Sequence, residues 1–382
     1  MASLPIPSQD AQAQSAELVS LIQHTIVQKN GWINFATFMQ MALYTPVIGY
    51  YSGGAKKFGI GGDFVTAPEI SPLFSQALAN QVAQVLDEIG GSILELGAGT
   101  GRLAIDLMRT LASKKVLPSH YYILEVSDYL REVQRTNLKE NLSEDLFSRV
   151  VWLDTLPKNY VGMIIGNEVL DAIPVHLIYK QDGQLYERGI ALGNGLAWQD
   201  RLLIDGELSR HLNALQLPDD YLTEVNLASI GLTKSLTESV KQGVVLMLDY
   251  GFGAPEYYHP QRKQGTLMCH YQHYAHSNPL INVGLQDITA HVNFTAIAEA
   301  GFDNGFDVAY VNQASFLINC GLLDIAAKTS PEDMAAYVPL VASAQKLLSP
   351  SEMGELFKVI AFSKGINNPL IGFIQGDKRH TL

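Results

Sequence analysis

Three alternate glycines that follow a short apolar run are the most specific chemical signal in this chain. Residues 93–96 predict a β-strand, and Gly97, Gly99 and Gly101 follow it directly. Glycine lets a backbone turn tightly and approach a ligand closely, and the free amides of a following helix favour anions. The loop therefore predicts a nucleotide-like ligand. A dinucleotide-binding loop would have glycine at position 102, where this chain has arginine, so NAD is disfavoured.

An acidic residue makes the predicted ligand of the loop more specific. Glu95 lies two residues before Gly97, which gives the spacing E-x-G-x-G-x-G. This spacing resembles the S-adenosylmethionine loop of class I methyltransferases, whose cofactor presents an amine and a ribose. We therefore expect the cofactor-binding residues of this loop to be Glu95, Gly97, Ala98, Gly99 and Gly101.

A second acidic residue stands where a ribose-binding carboxylate is expected. Residues 121–126 predict the next strand, and Glu125 lies 24 positions after Gly101. The intervening apolar residues have helical spacing, as a βαβ unit requires. We expect Glu125 and its neighbour Val126 to bind the nucleoside. The structural alternative is that Glu125 accepts hydrogen bonds from the amides of the next helix.

Other predicted strands also end in polar residues. Ligands of an open α/β sheet lie beyond the carboxyl ends of its strands, so these residues are candidates for the same site. Asp154 is interpreted either as a turn or helix cap or as a contact to adenine. Asn167 ends the fourth predicted strand and is assigned to the cofactor, whereas Asp249 ends the fifth.

Composition excludes some classes of partner. The chain has 382 residues, of which 47% are hydrophobic. Its formal net charge of −12 does not indicate the basic surface that binding to nucleic acid requires. Cys269 and Cys320 are too few for a disulfide framework or a cysteine metal site. No apolar run is long enough to span a membrane, and residues 1–16 resemble no targeting signal. We expect a cytoplasmic bacterial enzyme, with a homodimer one option for its oligomeric state.

The predicted elements alternate between strands and helices, which indicates an α/β fold with a doubly wound, mostly parallel sheet. Residues 1–90 are predicted to form a helical lead-in and a loop that covers the cofactor, and residues 91–382 the catalytic domain. Two insertions are expected in that domain. One is β-rich, at about residues 175–226, and the other is helical, at about residues 313–350.

Several motifs beyond the glycine loop resemble the MidA family. They are Gly-Tyr-Tyr at 49–51, Gly-Asp-Phe-Val-Thr-Ala-Pro-Glu-Ile-Ser-Pro-Leu-Phe at 62–74, Glu-Val-Ser at 125–127, Asn-Glu-Val-Leu-Asp-Ala-Ile-Pro-Val-His at 167–176, Asp-Tyr-Gly at 249–251 and Gln-Asp-Ile-Thr-Ala-His-Val-Asn-Phe at 286–294. The family contains the mitochondrial complex I assembly factor with protein arginine methyltransferase activity. The resemblance implies a seven-stranded, Rossmann-like class I methyltransferase fold, S-adenosyl-L-methionine as cofactor and a protein arginine as acceptor, with a respiratory-complex subunit as one possible substrate.

An arginine acceptor would need carboxylates, because its guanidinium is protonated and loses a proton as the new bond forms. Glu168 and Asp171 stand three residues apart, and on a helical first turn they would face the same way. We predict them to be the acceptor clamp, with capping by Asp171 as the structural alternative. His291 is predicted to lie at the start of a helix, and the resemblance implies that it relays the acceptor's proton or orients a carboxylate. The structural alternative is a packed or solvent-facing histidine. Asp287 and Thr289 are expected to be helix caps.

The glycine-rich and proline-rich segment 49–72 is predicted to be a lid over the methionine end of the cofactor, although a purely structural loop would have the same composition. Its candidate cofactor residues are Gly62, Asp63, Thr66, Pro68 and Glu69. The histidine run at 270–276 lacks a second ligand group, so we expect a substrate-facing loop there and no metal.

Two other functions fit the same sequence. One is methyl transfer to an oxygen or nitrogen of a small molecule, which predicts an enclosed pocket. The other is an assembly chaperone that keeps a vestigial cofactor site, although the complete glycine loop and Glu125 argue against it.

Overall fold

The computed structural model describes residues 4–53, 66–204, 206–212 and 215–382. The predicted residues Gly62 and Asp63 lie outside the described residues. The α-helices are α1 (Gln9–Gln28), α2 (Phe35–Tyr44), α3 (Ala67–Ile70), α4 (Pro72–Ile89), α5 (Arg102–Ser113), α6 (Asp128–Asn141), α7 (Glu144–Phe147), α8 (Glu207–Leu212), α9 (Leu227–Ser239), α10 (Ala254–Tyr257), α11 (Phe294–Asp303), α12 (Gln313–Asn319), α13 (Leu322–Ala326), α14 (Met334–Leu348) and α15 (Met353–Leu356).

The strands are β1 (Trp32–Asn34), β2 (Ser92–Leu96), β3 (Tyr121–Leu124), β4 (Val150–Leu153), β5 (Tyr160–Asn167), β6 (His176–Gln181), β7 (Gln184–Gly193), β8 (Gly195–Leu202), β9 (Tyr221–Val225), β10 (Val240–Phe252), β11 (Met268–Tyr271), β12 (Tyr274–His276), β13 (Asp287–Thr289), β14 (Val292–Asn293), β15 (Asp307–Asn312) and β16 (Phe357–Lys364). The alternation of helices and strands that the sequence predicts for residues 72–167 is present.

The chain divides into two compact units, each assembled from three separate segments. The first unit contains the described residues of 1–64, 171–231 and 254–293, and the second contains those of 65–170, 232–253 and 294–382. The domain boundary predicted at residue 90 divides the chain differently, and it stays a prediction.

The second unit is built on a sheet with the strand order β15-β16-β10-β5-β2-β3-β4. The pairs from β10 to β4 are parallel, whereas β16 runs antiparallel to both β10 and β15. The predicted doubly wound, mostly parallel α/β fold is therefore confirmed. The sheet has one further short strand off this path in the described part of the chain, so the predicted count of seven is not confirmed.

Strand β2 lies inside the sheet, between β5 and β3. Every residue of β2 is buried, as is typical of a parallel strand that is covered on both faces. The helix α5 that follows buries a stripe at helical spacing, which includes Leu103, Leu107, Met108 and Leu111. This packing fixes the loop between β2 and α5 at the carboxyl end of the sheet.

The first unit contains an antiparallel sheet with the order β1-β7-β6-β9, and β8 pairs with β7. Four of its strands, β6 to β9, lie within residues 175–226, where the sequence predicts a β-rich insertion. A smaller sheet has the order β12-β11-β13, and the hairpin of β11 and β12 contains the histidine run at 270–276. Buried residues of α1 and α2, among them Leu18, Ile22 and Phe38, pack in one core with Leu177 and Ile190.

Two further observations concern the helices. Residues 313–350 contain α12, α13 and α14, where the sequence predicts a helical insertion. In the part of the chain that the structure describes, none of the helices combines the length and the apolar character needed to cross a bilayer.

Candidate functional site

The glycine loop of the second unit leaves β2 through three left-handed residues. Gly97, Gly99 and Gly101 have φ values of +58°, +52° and +83°, which side-chain-bearing residues rarely adopt. The loop is closed by a hydrogen bond of 2.7 Å from the Gly101 amide to the carbonyl of Ala98. Helix α5 begins at Arg102 without a side-chain cap, so the amides of its first turn are available to a ligand.

Glu95 is buried inside β2, and a protein group already contacts it. The hydroxyl of Tyr121 donates a hydrogen bond of 2.7 Å to its Oε2. The pKa of Glu95 is raised to about 7, mainly by burial. The hydrogen bond from Tyr121 opposes this rise, and the nearby charge of Glu125 adds to it. The structure thus gives Glu95 a structural partner, and its contact with the cofactor stays a prediction.

Glu125 follows β3 and is almost fully buried. Its Oε1 accepts the amide of Ser127 at 2.9 Å, and its Oε2 accepts Nε2 of Gln134 at 3.0 Å. Burial raises the pKa of this carboxyl, whereas the hydrogen bonds from Ser127 and Gln134 lower it. The hydrogen bond from the Ser127 amide is of the kind that the structural alternative for Glu125 predicts. A carboxylate accepts about four hydrogen bonds, so acceptor capacity remains for a ligand.

Gln134 of α6 connects Glu125 to the glycine loop, and the sequence interpretation missed it. Its Nε2 also donates to the Gly99 carbonyl at 3.1 Å, and its Oε1 accepts the indole N–H of Trp152 at 2.9 Å. The side chain is fully buried. One signal could have identified it, because Gln134 stands four residues from both Leu130 and Leu138 on the buried face of α6.

Val126 and Asp154 flank Glu125 at the surface. Val126 is 76% exposed, so its side chain is accessible to a ligand. Asp154 is also exposed and pairs with Arg131, whose Nη1 lies 2.8 Å from Oδ1. Arg131 in turn donates to the Glu125 carbonyl at 2.7 Å. An exposed ion pair contributes little stability, so Asp154 is free to exchange this partner for a ligand amine.

Asn167 and Glu168 stand at the carboxyl end of β5. Asn167 Nδ2 donates to Glu168 Oε1 at 3.2 Å, whereas its Oδ1 is buried and has no hydrogen-bond partner among the described residues. Glu168 Oε1 also accepts the amide of Ala67 at 3.3 Å. Glu168 therefore holds the start of α3 against the end of β5.

The segment 66–70 lies beside the glycine loop. Thr66 precedes α3, which contains Pro68 and Glu69. The hydroxyl of Thr100, in the glycine loop, donates to the Glu69 carboxylate. The predicted residues Thr66, Pro68 and Glu69 are thus brought close to the loop, and Thr100 is a further residue that the sequence interpretation missed.

The helical turn predicted for residues 168–171 is wrong. Glu168 has a left-handed φ of +53°, and its amide donates to the Leu248 carbonyl at 2.9 Å. The carboxylate of Asp249 accepts the amides of Val169 at 3.1 Å and Leu170 at 2.8 Å. These bonds hold the chain in a bend. The assignment of Glu168 and Asp171 to the acceptor clamp stays a prediction.

Within the first unit, Tyr51 lies near two carboxylates. The Tyr51 hydroxyl donates to Asp287 Oδ1 at 2.9 Å, and the Tyr44 ring stacks on Tyr51 with centroids 5.5 Å apart. Burial raises the pKa of Tyr51 well above its usual value, and the charges of Asp287 and Asp171 add to this effect. Both aspartates are buried. Anionic groups therefore gather around Tyr51.

The secondary structure predicted around His291 needs two corrections. Helix α11 begins at Phe294, and β14 lies between it and His291, so His291 is not at a helix start. Asp287 and Thr289 are buried in β13 and are not helix caps, because this segment pairs with β11. The His291 amide donates to Thr266 Oγ1 at 3.0 Å, and the Ala290 amide donates to the Asp171 carbonyl at 3.0 Å. Asp171 and His291 therefore lie on neighbouring segments.

Comparison with solved structures gives a match over the whole chain. A protein from Burkholderia thailandensis, described as a "likely methyl transferase" and bound to S-adenosyl-homocysteine, is 46% identical to this chain. The match covers 100% of both chains with a TM-score of 0.96. A second structure from the same organism, of an uncharacterized protein, matches with a TM-score of 0.94 and 45% identity over 100% of both chains.

Curated relatives are more distant in sequence. Protein arginine methyltransferase NDUFAF7 of Danio rerio is 26% identical over 89% of this chain and 86% of its own length. The NDUFAF7 homologue of Drosophila melanogaster is 25% identical over 97% of this chain and 91% of its own length. Both matched proteins are mitochondrial by name.

A family model described as "putative S-adenosyl-L-methionine-dependent methyltransferase" matches residues 77–312. This range contains β2, the glycine loop and Glu125, and it also includes His291 of the first unit. The predicted enzyme class and the predicted cofactor, S-adenosyl-L-methionine, are confirmed. The chain therefore belongs to this family of S-adenosylmethionine-dependent methyltransferases.

Proposed function

We propose that this enzyme methylates an arginine side chain of a protein. The observation that carries the proposal is the pair of buried carboxylates, Asp171 and Asp287, that surrounds Tyr51 in the first unit. Carboxylates bind a guanidinium through charge-assisted, often bidentate hydrogen bonds. The names of the curated relatives, which are protein arginine methyltransferases, support the same acceptor.

The residues of the second unit fit the cofactor. The glycine loop has no side chains at its three left-handed positions, so backbone amides can approach a ligand directly. Glu125 would accept the ribose hydroxyls, and the exposed side chain of Val126 would pack against adenine. Asp154 would accept a hydrogen bond from the adenine amino group. When bound, S-adenosylmethionine supplies a methyl group that its sulfonium activates.

The methionine end of the cofactor would be held by a different set of residues. Asn167 Oδ1, which is buried and unpaired within the described part of the chain, suits an ammonium donor. Glu95 lies on β2, the strand that pairs with β5, and Thr66, Pro68 and Glu69 complete this set. The sequence also assigns Gly62 and Asp63 to the methionine end of the cofactor.

The acceptor side has to bind a cation and remove a proton. Asp171 would bind the guanidinium through charge-assisted hydrogen bonds, and the new N–C bond would form as the S–C bond breaks. The proton released from that nitrogen would pass to a carboxylate, with His291 relaying it onward. Glu168, which also holds α3 through the Ala67 amide, is proposed from the sequence as the second carboxylate of the acceptor clamp.

Radiolabelling tests the acceptor assignment. The purified protein is incubated with methyl-labelled S-adenosylmethionine and a protein extract that includes respiratory-complex subunits. The labelled residue is then mapped by mass spectrometry, with the Asp171→Asn variant run in parallel. We expect the label on arginine, and we expect Asp171→Asn to reduce labelling while its affinity for S-adenosyl-homocysteine stays within about twofold of wild type.

Other outcomes identify the alternative functions. Label on a lysine would contradict the arginine assignment, and label on a low-molecular-weight compound would indicate a small-molecule methyltransferase. A chain that binds the cofactor and a client protein, but transfers no label to any acceptor, would indicate an assembly chaperone.

A further inference from the structure

A carboxylate of the first unit lies outside every motif singled out in the sequence. Glu224, in β9, is 1% exposed. Its Oε1 accepts the amides of Thr266 at 2.7 Å and Leu267 at 2.9 Å, and its Oε2 accepts the hydroxyls of Thr266 at 3.2 Å and Tyr257 at 3.3 Å. A buried carboxylate with four donors is a fixed anchor for the chain segment that supplies them.

The backbone around this anchor leaves no room for a side chain at Gly265. Gly265 has a φ of +69°, and a Cβ atom there would lie 2.2 Å from Glu224 Oε1. Glycine is required at this position for both reasons. The segment 265–267 therefore wraps closely around the Glu224 carboxylate.

This anchor is connected to the segment that carries His291. The Thr266 hydroxyl donates to Glu224 and accepts the His291 amide, so it joins the two at a single oxygen atom. Two further bonds hold the same segment. Ala290 donates to the Asp171 carbonyl at 3.0 Å, and Asn293 Nδ2 donates to the Tyr258 hydroxyl at 3.2 Å. Residues 290–293 are thus fixed at three points within the first unit.

The cost of burying Glu224 indicates that the anchor does more than fill space. Burial raises the pKa of Glu224, while the hydrogen bonds from Thr266 and Leu267 lower it. An apolar residue in β9 would avoid this desolvation cost, as replacements of buried ionic groups in other proteins show. What the carboxylate adds is a defined direction for the Thr266 hydroxyl, since a hydroxyl has one proton to donate.

We infer that Glu224 and Thr266 are positioning residues that hold the backbone of His291 for methyl transfer. The inference rests on the proposed function, in which His291 relays the acceptor's proton. Neither residue contacts the reacting atoms in this account. Because effective proton transfer depends on placement within a fraction of an ångström, release of the His291 amide should slow turnover and leave cofactor binding intact.

Substitutions of Thr266 test the inference. Thr266→Val removes the hydroxyl but keeps the shape and the main-chain amide, whereas Thr266→Ser restores the hydroxyl. Thr223→Val is the matched control, because Thr223 is a buried threonine of the same strand as Glu224. The acceptor is a synthetic peptide built around the arginine that labelling identifies. We expect Thr266→Val to lower kcat about tenfold, Thr266→Ser to stay within about threefold of wild type, and Thr223→Val to leave kcat unchanged.

Two further readouts separate positioning from a general loss of structure. Amide hydrogen exchange at His291 should become faster in Thr266→Val and stay slow in Thr223→Val. The effect of Thr266→Val on kcat should disappear in a His291→Ala background, since both changes remove the same contribution. Affinity for S-adenosyl-homocysteine should stay within about twofold of wild type in every variant.

Several results would overturn the inference. They are an unchanged kcat in Thr266→Val, fully additive effects of Thr266→Val and His291→Ala, and unchanged exchange at the His291 amide. If the wild-type protein methylates arginine and Thr266→Val matches it, only the positioning role fails. If the wild-type protein labels no arginine at all, the proposed function fails first, and the inference that rests on it fails as well.

Discussion

Glu125 and Glu224 are both buried carboxylates whose pKa burial raises, yet their partners lie at very different distances along the chain. The partners of Glu125 are two and nine residues away, at Ser127 and Gln134. The partners of Glu224 are 33 to 43 residues away, at Tyr257, Thr266 and Leu267. A short βαβ unit builds the first environment, whereas tertiary folding of separate segments builds the second.

This difference also separates two functions in our account. Glu125 belongs to the second unit with the glycine loop, and we assign it to the cofactor. Glu224 belongs to the first unit with Asp171 and His291, and we assign it to the acceptor chemistry. Variants of the two residues should therefore change different measured constants, and the following predictions use this contrast.

Glu125→Ala should give the largest effect. It removes the charged acceptor of two ribose hydroxyls, which we expect to cost about 3 kcal/mol, or roughly a hundredfold or more in the Kd for S-adenosyl-homocysteine. Isothermal titration calorimetry measures this constant. Glu224→Gln is the matched control and should keep a Kd within about twofold of wild type. Equal losses of affinity in both variants would remove the distinction between the two carboxylates.

The pH dependence of stability tests the burial of Glu95. Its folded-state pKa of about 7 lies above the ordinary value of 4.5, so the folded protein binds this proton more tightly than the unfolded chain does. Stability should therefore fall as pH rises through about 7, by about 2 kcal/mol between pH 5.5 and pH 8.5. Urea unfolding of wild type and Glu95→Gln at both pH values isolates this contribution, which should be absent from the variant. The exposed Glu238, changed to glutamine, should retain the wild-type slope.

The local half of the site was accessible from sequence because its determinants are local. Strand β2, the three glycines and Glu125 lie within about thirty-five residues, and apolar periodicity fixes their elements. The strand predicted at residues 93–96 is β2, which begins one residue earlier, at Ser92.

The rest of the site was less accessible because its hydrogen-bond partners come from segments that are distant in the sequence. The bend at Glu168 depends on the Asp249 carboxylate, about eighty residues away, which no local pattern reports. The same holds for Asp287, whose strand is defined by pairing with β11 and whose carboxylate meets Tyr51. The predicted helix cap at Asp287 assumed a local partner, whereas the partner of this carboxylate, Tyr51, is distant in the sequence.

Gln134→Leu tests whether the contact between Glu125 and the glycine loop contributes to cofactor binding. The substitution removes the amide that joins Glu125 to the Gly99 carbonyl and leaves the Trp152 N–H without its acceptor. We expect the Kd for S-adenosyl-homocysteine to rise about tenfold, which corresponds to about 1.4 kcal/mol. Gln313→Leu is a suitable control, because Gln313 is equally buried in α12 and bonds to the Leu347 carbonyl. It should lower stability without changing this Kd.

Val126→Ser should give the smallest effect. If adenine covers this exposed side chain, the loss of apolar contact should cost about 0.7 kcal/mol, or about threefold in Kd. The titration used for Glu125 measures it. Val338→Ser changes an exposed valine of α14 and should leave the Kd unchanged. An unchanged Kd in Val126→Ser would place the adenine ring elsewhere.

A crystal structure of this chain with S-adenosyl-homocysteine tests the central claim most directly, because it locates the ribose relative to Glu125. We predict that both ribose hydroxyls lie within hydrogen-bond distance of the Glu125 carboxylate, at roughly 2.5–3.2 Å, with the backbone of the glycine loop against the ligand. A ribose bound away from Glu125, with Gly97, Gly99 and Gly101 making no contact to the ligand, would contradict the account.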